Sequence, residues 1–193
     1  MTAADIATME GLAKSHFLNS DARRINKSLG DTTGLTGLGI HLIEVAPGDE
    51  TTEYHVHHYE DEAVYILSGT GTATIGKDDH PIGPGDFIGY RKRGLAHTIV
   101  NSTTQVLRIL VIGQRLPHDV GDYPRKGQRI YRNESLPWDL VPHDAMSHPQ
   151  AGAKKMAFRP GADRGRVRAH DKHLGHLDWD CDCRIFCGRC RAV

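Results

Sequence analysis

The chain has 193 residues, of which 38% are hydrophobic and 6% aromatic, and its 24 basic residues balance 24 acidic ones. That length holds one ordinary domain with a buried core plus extensions, and a net charge of zero argues against a whole-protein role on nucleic acid or a membrane surface. The balance is uneven, with ten Lys and Arg against five Asp from Ala151 onward and fourteen against nineteen before it, so an acidic part precedes a basic tail.

Residues 2 to 14 predict a short helix, with Thr2 as cap and Ala3, Ala4, Ile6, Ala7, Met9 and Leu12 behind it. Met1 to Leu18 lacks the charged-then-apolar order of a secretory signal. No apolar run approaches the roughly 20 residues of a spanning helix, so the expectation is a cytoplasmic protein without a membrane partner. Ser20 to Gly39, rich in Gly, Thr, Asn and Asp, reads as extended and looped. Ile40 to Val45 is β-rich and reads as a strand, ended by the turn Pro47-Gly48-Asp49.

From there short strands follow at intervals of about ten residues. They are Ala63 to Leu67, Gly71 to Ile75, Phe87 to Tyr90, His97 to Val100 and Gln105 to Ile112. Gly76-Lys77-Asp78-Asp79 reads as a hairpin turn, and Gly83-Pro84-Gly85-Asp86 as a Gly and Pro turn between strands. The pattern predicts an all-β antiparallel sandwich or barrel. Beyond Gly113 prolines and glycines break it, and only Ile130-Tyr131 suggests one more short strand.

The chemistry concentrates in His55-Val56-His57-His58-Tyr59-Glu60-Asp61-Glu62. Side chains alternate faces along a strand, so His55 and His57 project to one side and His58 to the other. Glu62 can reach the same side after a short turn, and His97 is the candidate for a fourth ligand. Imidazole and carboxylate together suit a divalent transition metal such as Fe, Mn, Ni, Co or Zn. Glu62 and His97 are also the expected catalytic groups, Glu62 as a ligand able to detach and act as a base. Glu60 and Asp61 read as solvated turn residues. With Glu62 and His97 inward, strand phase puts Val64, Ile66 and Ile99 in an apolar substrate pocket. Arg108 either lies on the outer face or reaches in to clamp a carboxylate. His41, Tyr65 and Tyr90 are further candidates for the cavity wall.

The stretch Gly48 to Gly69 resembles the first motif of the cupin family, G-x5-H-x-H-x(3,4)-E-x6-G, with His55, His57, Glu62 and Gly69 in place and Gly48 one residue too far forward. Gly85 to Asn101 resembles the second, G-x5-P-x-G-x2-H-x3-N. Gly94, His97 and Asn101 keep their spacing, Lys92 replaces the proline, and one residue is added after Gly85. The resemblance covers roughly residues 35 to 115. It implies a jelly-roll β-barrel with His55, His57, Glu62 and His97 around one metal, a small organic molecule as substrate, and a homodimer. Cupins include dioxygenases, sugar-phosphate isomerases, decarboxylases and non-enzymatic binders. An apolar pocket favours an oxygenase-like or Lewis-acid enzyme, with a sensing module or a sugar-phosphate isomerase as alternatives.

The expected organisation is an N-terminal arm (1–34), a barrel core (35–115), an extension packed on the barrel or a partner (116–150), and a basic tail (151–193). The tail holds Cys181, Cys183, Cys187 and Cys190, which form either a second zinc site or part of a disordered extension. It also holds His170, His173 and His176 at a spacing of three. Aromatic residues there are sparse, which speaks against nucleic acid.

Overall fold

The computed structural model describes residues 1–149 and 185–186. Thr2 and Asp5 form a reciprocal capping box on a short helix, α1 (Ala3–Thr8). The helix expected to reach residue 14 stops at Met9, ahead of the poor helix former Gly11. The chain then enters β1 (Leu12–His16), which pairs antiparallel with β2 (Asn19–Ser28). Much of the segment read as extended and looped is therefore paired strand. Its signal is hidden because the buried positions of β2 are Ala22 and Asn26 rather than large apolar residues. A single helical turn, α2 (Leu29–Thr32), leads on to the barrel.

The barrel strands are β3 (Leu38–Val45), β4 (Val56–His57), β5 (Glu62–Ser68), β6 (Gly71–Ile75), β7 (Asp78–Ile82), β8 (Phe87–Tyr90), β9 (His97–Val100) and β10 (Leu107–Gln114). Asp78 and Asp79, expected in a turn, already belong to β7, so the turn is confined to Gly76-Lys77. Past Gly113 the strands continue with β11 (His118–Tyr123), β12 (Gln128–Asn133), which contains the expected Ile130-Tyr131, and β13 (Asp139–Pro142); β11 and β13 were not expected. A two-residue strand, β14 (Ile185–Phe186), pairs with β8.

All pairings are antiparallel. The large sheet runs β1-β2-β3-β10-β5-β8-β14, a second β7-β6-β9, and a third β13-β12-β11-β4. This is an all-β jelly-roll. Between the sheets lie Ile43, Val45, Val64, Ile66, Ala73, Ile75, Ile82, Ile88, Ile99, Leu107 and Ile109, drawn from seven strands. Each fully buried branched side chain there contributes about 1.5–3 kcal/mol. Leu107 and Ile109 face in while Arg108 faces out between them, which is the strand alternation at work.

Two motif residues have clear structural reasons. Gly69 has φ +78°, and a Cβ there would meet the Val106 carbonyl oxygen at 2.5 Å. Asn101 is fully buried and its amide donates to the Val45 and Gln105 carbonyls at 2.9 and 2.7 Å, tying β9 to β3 and the β10 approach.

Cys181, Cys183, Cys187 and Cys190, with His170, His173 and His176, lie outside the described residues. Among the described residues, no helix is long and apolar enough to cross a membrane.

Candidate metal centre

The site is built where β4, β5 and β9 meet. His55 bridges His97 through reciprocal backbone bonds, His55 N to His97 O at 3.1 Å and His97 N to His55 O at 2.8 Å. That pairing fixes two imidazoles from distant parts of the chain side by side, with ring centroids 4.6 Å apart. His57, two residues along, turns to the same side, and its Nε2 lies 3.2 Å from His55 Nε2. Glu62 at the start of β5 closes the group, with carboxylate oxygens 3.7 Å from His97 Nε2 and 3.9 Å from His57 Nε2.

The partners on the far side of each ring set its tautomer. Nδ1 of His55 faces the Glu53 carbonyl at 2.9 Å, Nδ1 of His57 faces Asp119 Oδ2 at 2.6 Å, and Nδ1 of His97 faces the Leu95 carbonyl at 3.4 Å. Carbonyl and carboxylate oxygens only accept, so each Nδ1 carries the proton and donates. Each Nε2 is then a lone pair, and the ligand atoms of His55, His57 and Glu62 lie within 4.8 Å of one another, with His97 Nε2 next to Glu62. His97 Nε2 is buried with no hydrogen-bond partner. Three converging lone pairs and a carboxylate repel one another unless a cation lies between them, so the donor set fits a divalent transition metal.

Burial, then the neighbouring His97 and His57, holds His55 well below the ordinary imidazole value. Burial also opposes protonation of His57, but the Asp119 hydrogen bond and the nearby carboxylates outweigh it and raise its value. For Glu62 burial pushes the carboxyl up. His97 and then the other imidazoles outweigh that and bring it to about 2. Glu62 is thus a carboxylate at neutral pH.

Around these four sits a supporting layer that the sequence did not reveal. Asp119, on β11, is 1% exposed and receives Arg132 Nη2 at 2.9 Å and Tyr59 N at 3.1 Å besides His57. Arg132, on β12, stands directly opposite Asp119 in register and also pairs with Glu60. Glu60, expected in a solvated turn, is 5% exposed and accepts from Leu116 N at 2.8 Å. The missed signal is the cross-strand Asp119–Arg132 pair, visible only once the strands past Gly113 are placed. Tyr90 stacks flat on His97, with centroids 3.5 Å apart and planes 3° off parallel. His58 turns away, as its strand phase predicts, and bonds Asp122 at 2.8 Å.

His55, Glu62 and His97 face a cavity of about 590 Å³, and His57 stands beside them, off its lining. Val64, Ile99 and Tyr90 line it, together with Ile109 and Val111, and His41 is on its wall. Ile66 is packed in the core behind it. Tyr65 is exposed on the outer face. Arg108 also lies outside, paired with Glu44 at 3.2 Å, because its β10 position points away from the barrel. The cavity is not the apolar pocket expected. Arg24 and Arg132 reach it from β2 and β12, strands whose side-chain phase could not be read from the sequence, and Arg115 from just past the end of β10.

No curated protein matches the chain. The Cupin domain family model matches residues 41–113. A crystal structure of a proposed sugar phosphate isomerase from Acidithiobacillus ferrooxidans ATCC 23270 is 53% identical, covering 78% of this chain and 96% of that one, with a TM-score of 0.75. A sugar phosphate isomerase of the cupin superfamily from Silicibacter pomeroyi DSS-3 is 24% identical over 76% of this chain and 96% of its own, with a TM-score of 0.66, a likeness of fold. The matched motifs, the jelly-roll and the long alignment at 53% identity together show that the chain belongs to the cupin superfamily.

Proposed function

We propose that the protein is a metal-dependent enzyme in which His55, His57, Glu62 and His97 hold one divalent ion and the cavity beside them takes a small organic molecule with adjacent oxygens. The observation that carries this reading is the clustering of ligand atoms of His55, His57 and Glu62 within 4.8 Å of one another, with His97 Nε2, buried and without a hydrogen-bond partner, 3.7 Å from Glu62. When bound, the ion would polarise a carbonyl or hydroxyl oxygen of the substrate as a Lewis acid.

The protein's own groups do the rest. Glu62, ionised, balances charge and can accept a proton. On the wall, Asn26 Nδ2 donates to His41 Nδ1 at 3.3 Å, which leaves the proton on Nε2 as a donor. Val64, Ile99 and Ile109 line the same space with apolar surface that keeps water from the reacting atoms. Isomerisation of a hydroxy-carbonyl compound fits this cationic, donor-lined cavity better than oxygen chemistry on an apolar substrate. The name carried by the 53% identical relative supports that choice.

Elemental analysis followed by loading with Fe, Mn, Ni or Zn tests the reading. Turnover of aldose or ketose phosphates is expected with one metal per chain. Turnover only of enediols, flavonols or β-diketones in air would move the assignment to an oxygenase. Ligand-induced stabilisation without turnover would make the protein a binding module, and metal far below one per chain would sink the reading.

A further inference from the structure

Arg24 stands apart among the cavity's cations. Arg115 pairs with Asp31, and Arg132 with Glu60 and Asp119. Arg24 has no carboxylate within ion-pair distance among the described residues; its Nη1 donates to the Thr51 carbonyl at 2.5 Å. That bond fixes the guanidinium in place. Its Nε is buried and has no hydrogen-bond partner among the described residues. A buried cationic donor without an acceptor is costly in any fold. Here it lies on a cavity wall, in electrostatic range of the metal-type cluster through Glu62.

The groups around Arg24 are donors as well. His41 presents Nε2–H, and Arg115 lies close beside it, since a Cβ on Gly39 would meet Arg115 Nε at 3.1 Å and His41 Nε2 at 3.2 Å. Burial, then the charge of Arg115, lowers the His41 value and keeps that ring a neutral donor. The cavity therefore combines two kinds of group, the lone pairs and carboxylate of the cluster and N–H donors that include a planar guanidinium fork suited to an oxyanion.

We propose that Arg24, flanked by His41 and Arg115, anchors an oxyanion group of the ligand, a carboxylate or a phosphate, while the ligand's other oxygens reach the His55–His57–Glu62–His97 cluster. The clamping role, one of two readings for Arg108, falls instead to Arg24, which comes from outside the stretch carrying the family motifs. The inference rests on the proposed reading of the cavity as a substrate site, and it gives that site a direction.

The test is binding of inorganic phosphate and of acetate to the full chain stripped of metal with a chelator, so that anion capture by a metal cannot contribute. Wild type is expected to bind one of the two, which identifies the oxyanion. Arg24→Gln should weaken that binding by about tenfold or more, Arg24→Lys should restore part of it, and Arg108→Gln should leave it unchanged. Should Arg24→Gln fail to fold, Arg24→Lys and His41→Gln carry the comparison, each expected to weaken binding. Wild type binding neither anion, or Arg24 variants binding as wild type does, overturns the proposal. Metal content, measured on reloaded samples, judges the metal reading separately, because Arg24→Gln should retain its metal.

Discussion

His57 Nδ1 donates to Asp119 Oδ2 at 2.6 Å, joining β4 to a strand 62 residues later. Asp119 is itself fixed by Arg132 and by Tyr59 N, so it orients the imidazole and raises the basicity of Nε2. Asp119→Asn should weaken metal binding about 10- to 100-fold while the far-ultraviolet circular dichroism stays that of a β-protein. A competition titration against a chromophoric chelator measures it. Unchanged affinity would reduce Asp119 to a structural partner of Arg132.

His57 and its neighbour His58 make a paired comparison. His57→Ala should lose most bound metal, whereas His58→Ala should keep it, because His58 is turned away onto Asp122. Metal per chain after gel filtration, read by atomic emission, separates the two.

Asp122 predicts a pH dependence. Burial would raise its carboxyl, but Arg129 with His58 and His143 outweighs burial and holds the group below its ordinary value of 3.8. The unfolded chain therefore takes up this proton more readily than the folded one. The stabilisation is complete above about pH 4 and is lost as the pH falls through the lowered folded value. Asp122→Asn should cost about 2 kcal/mol at neutral pH, and its Tm should converge on that of wild type in acid. A constant difference down to the lowest pH would remove Asp122 as the cause.

At the end of β5, Gly69→Ala places a methyl group against the Val106 carbonyl in a backbone conformation that side chains disfavour. The expected loss is about 2 kcal/mol, seen as a lower urea midpoint with an unchanged slope.

Most strands from Ile40 to Ile112 were legible because one of their faces is buried, so apolar and polar positions alternate; β7 was not, since Asp78-Asp79-His80-Pro81 carries no such rhythm. The metal-type cluster was legible because three of its four members lie within eight residues, His55 to Glu62. The strands β1, β2, β11 and β13 were not, and of β12 only Ile130-Tyr131 was read. Buried positions in β2 and β11 are filled by Ala22, Asn26, Asp119 and Gly121, which carry no apolar rhythm. For the same reason Arg24 and Arg132 could not be assigned to the cavity, and the interior was expected to be apolar. Glu60 was misplaced because only Arg132, 72 residues away, reveals why a carboxylate would be buried there.

The short strand β4 has one sheet neighbour, β11, with Gly121 opposite His57 and Asp122 opposite Val56. A polypeptide trimmed to the matched interval 41–113 would keep His55, His57, Glu62 and His97 yet lack the rail on which His57 rides, the Asp119 bonded to it and the Arg24 of the cavity wall. The smallest working unit is therefore wider than its family signature on both sides, and grafting or shortening this barrel by motif alone would produce a shell with a slack binding centre.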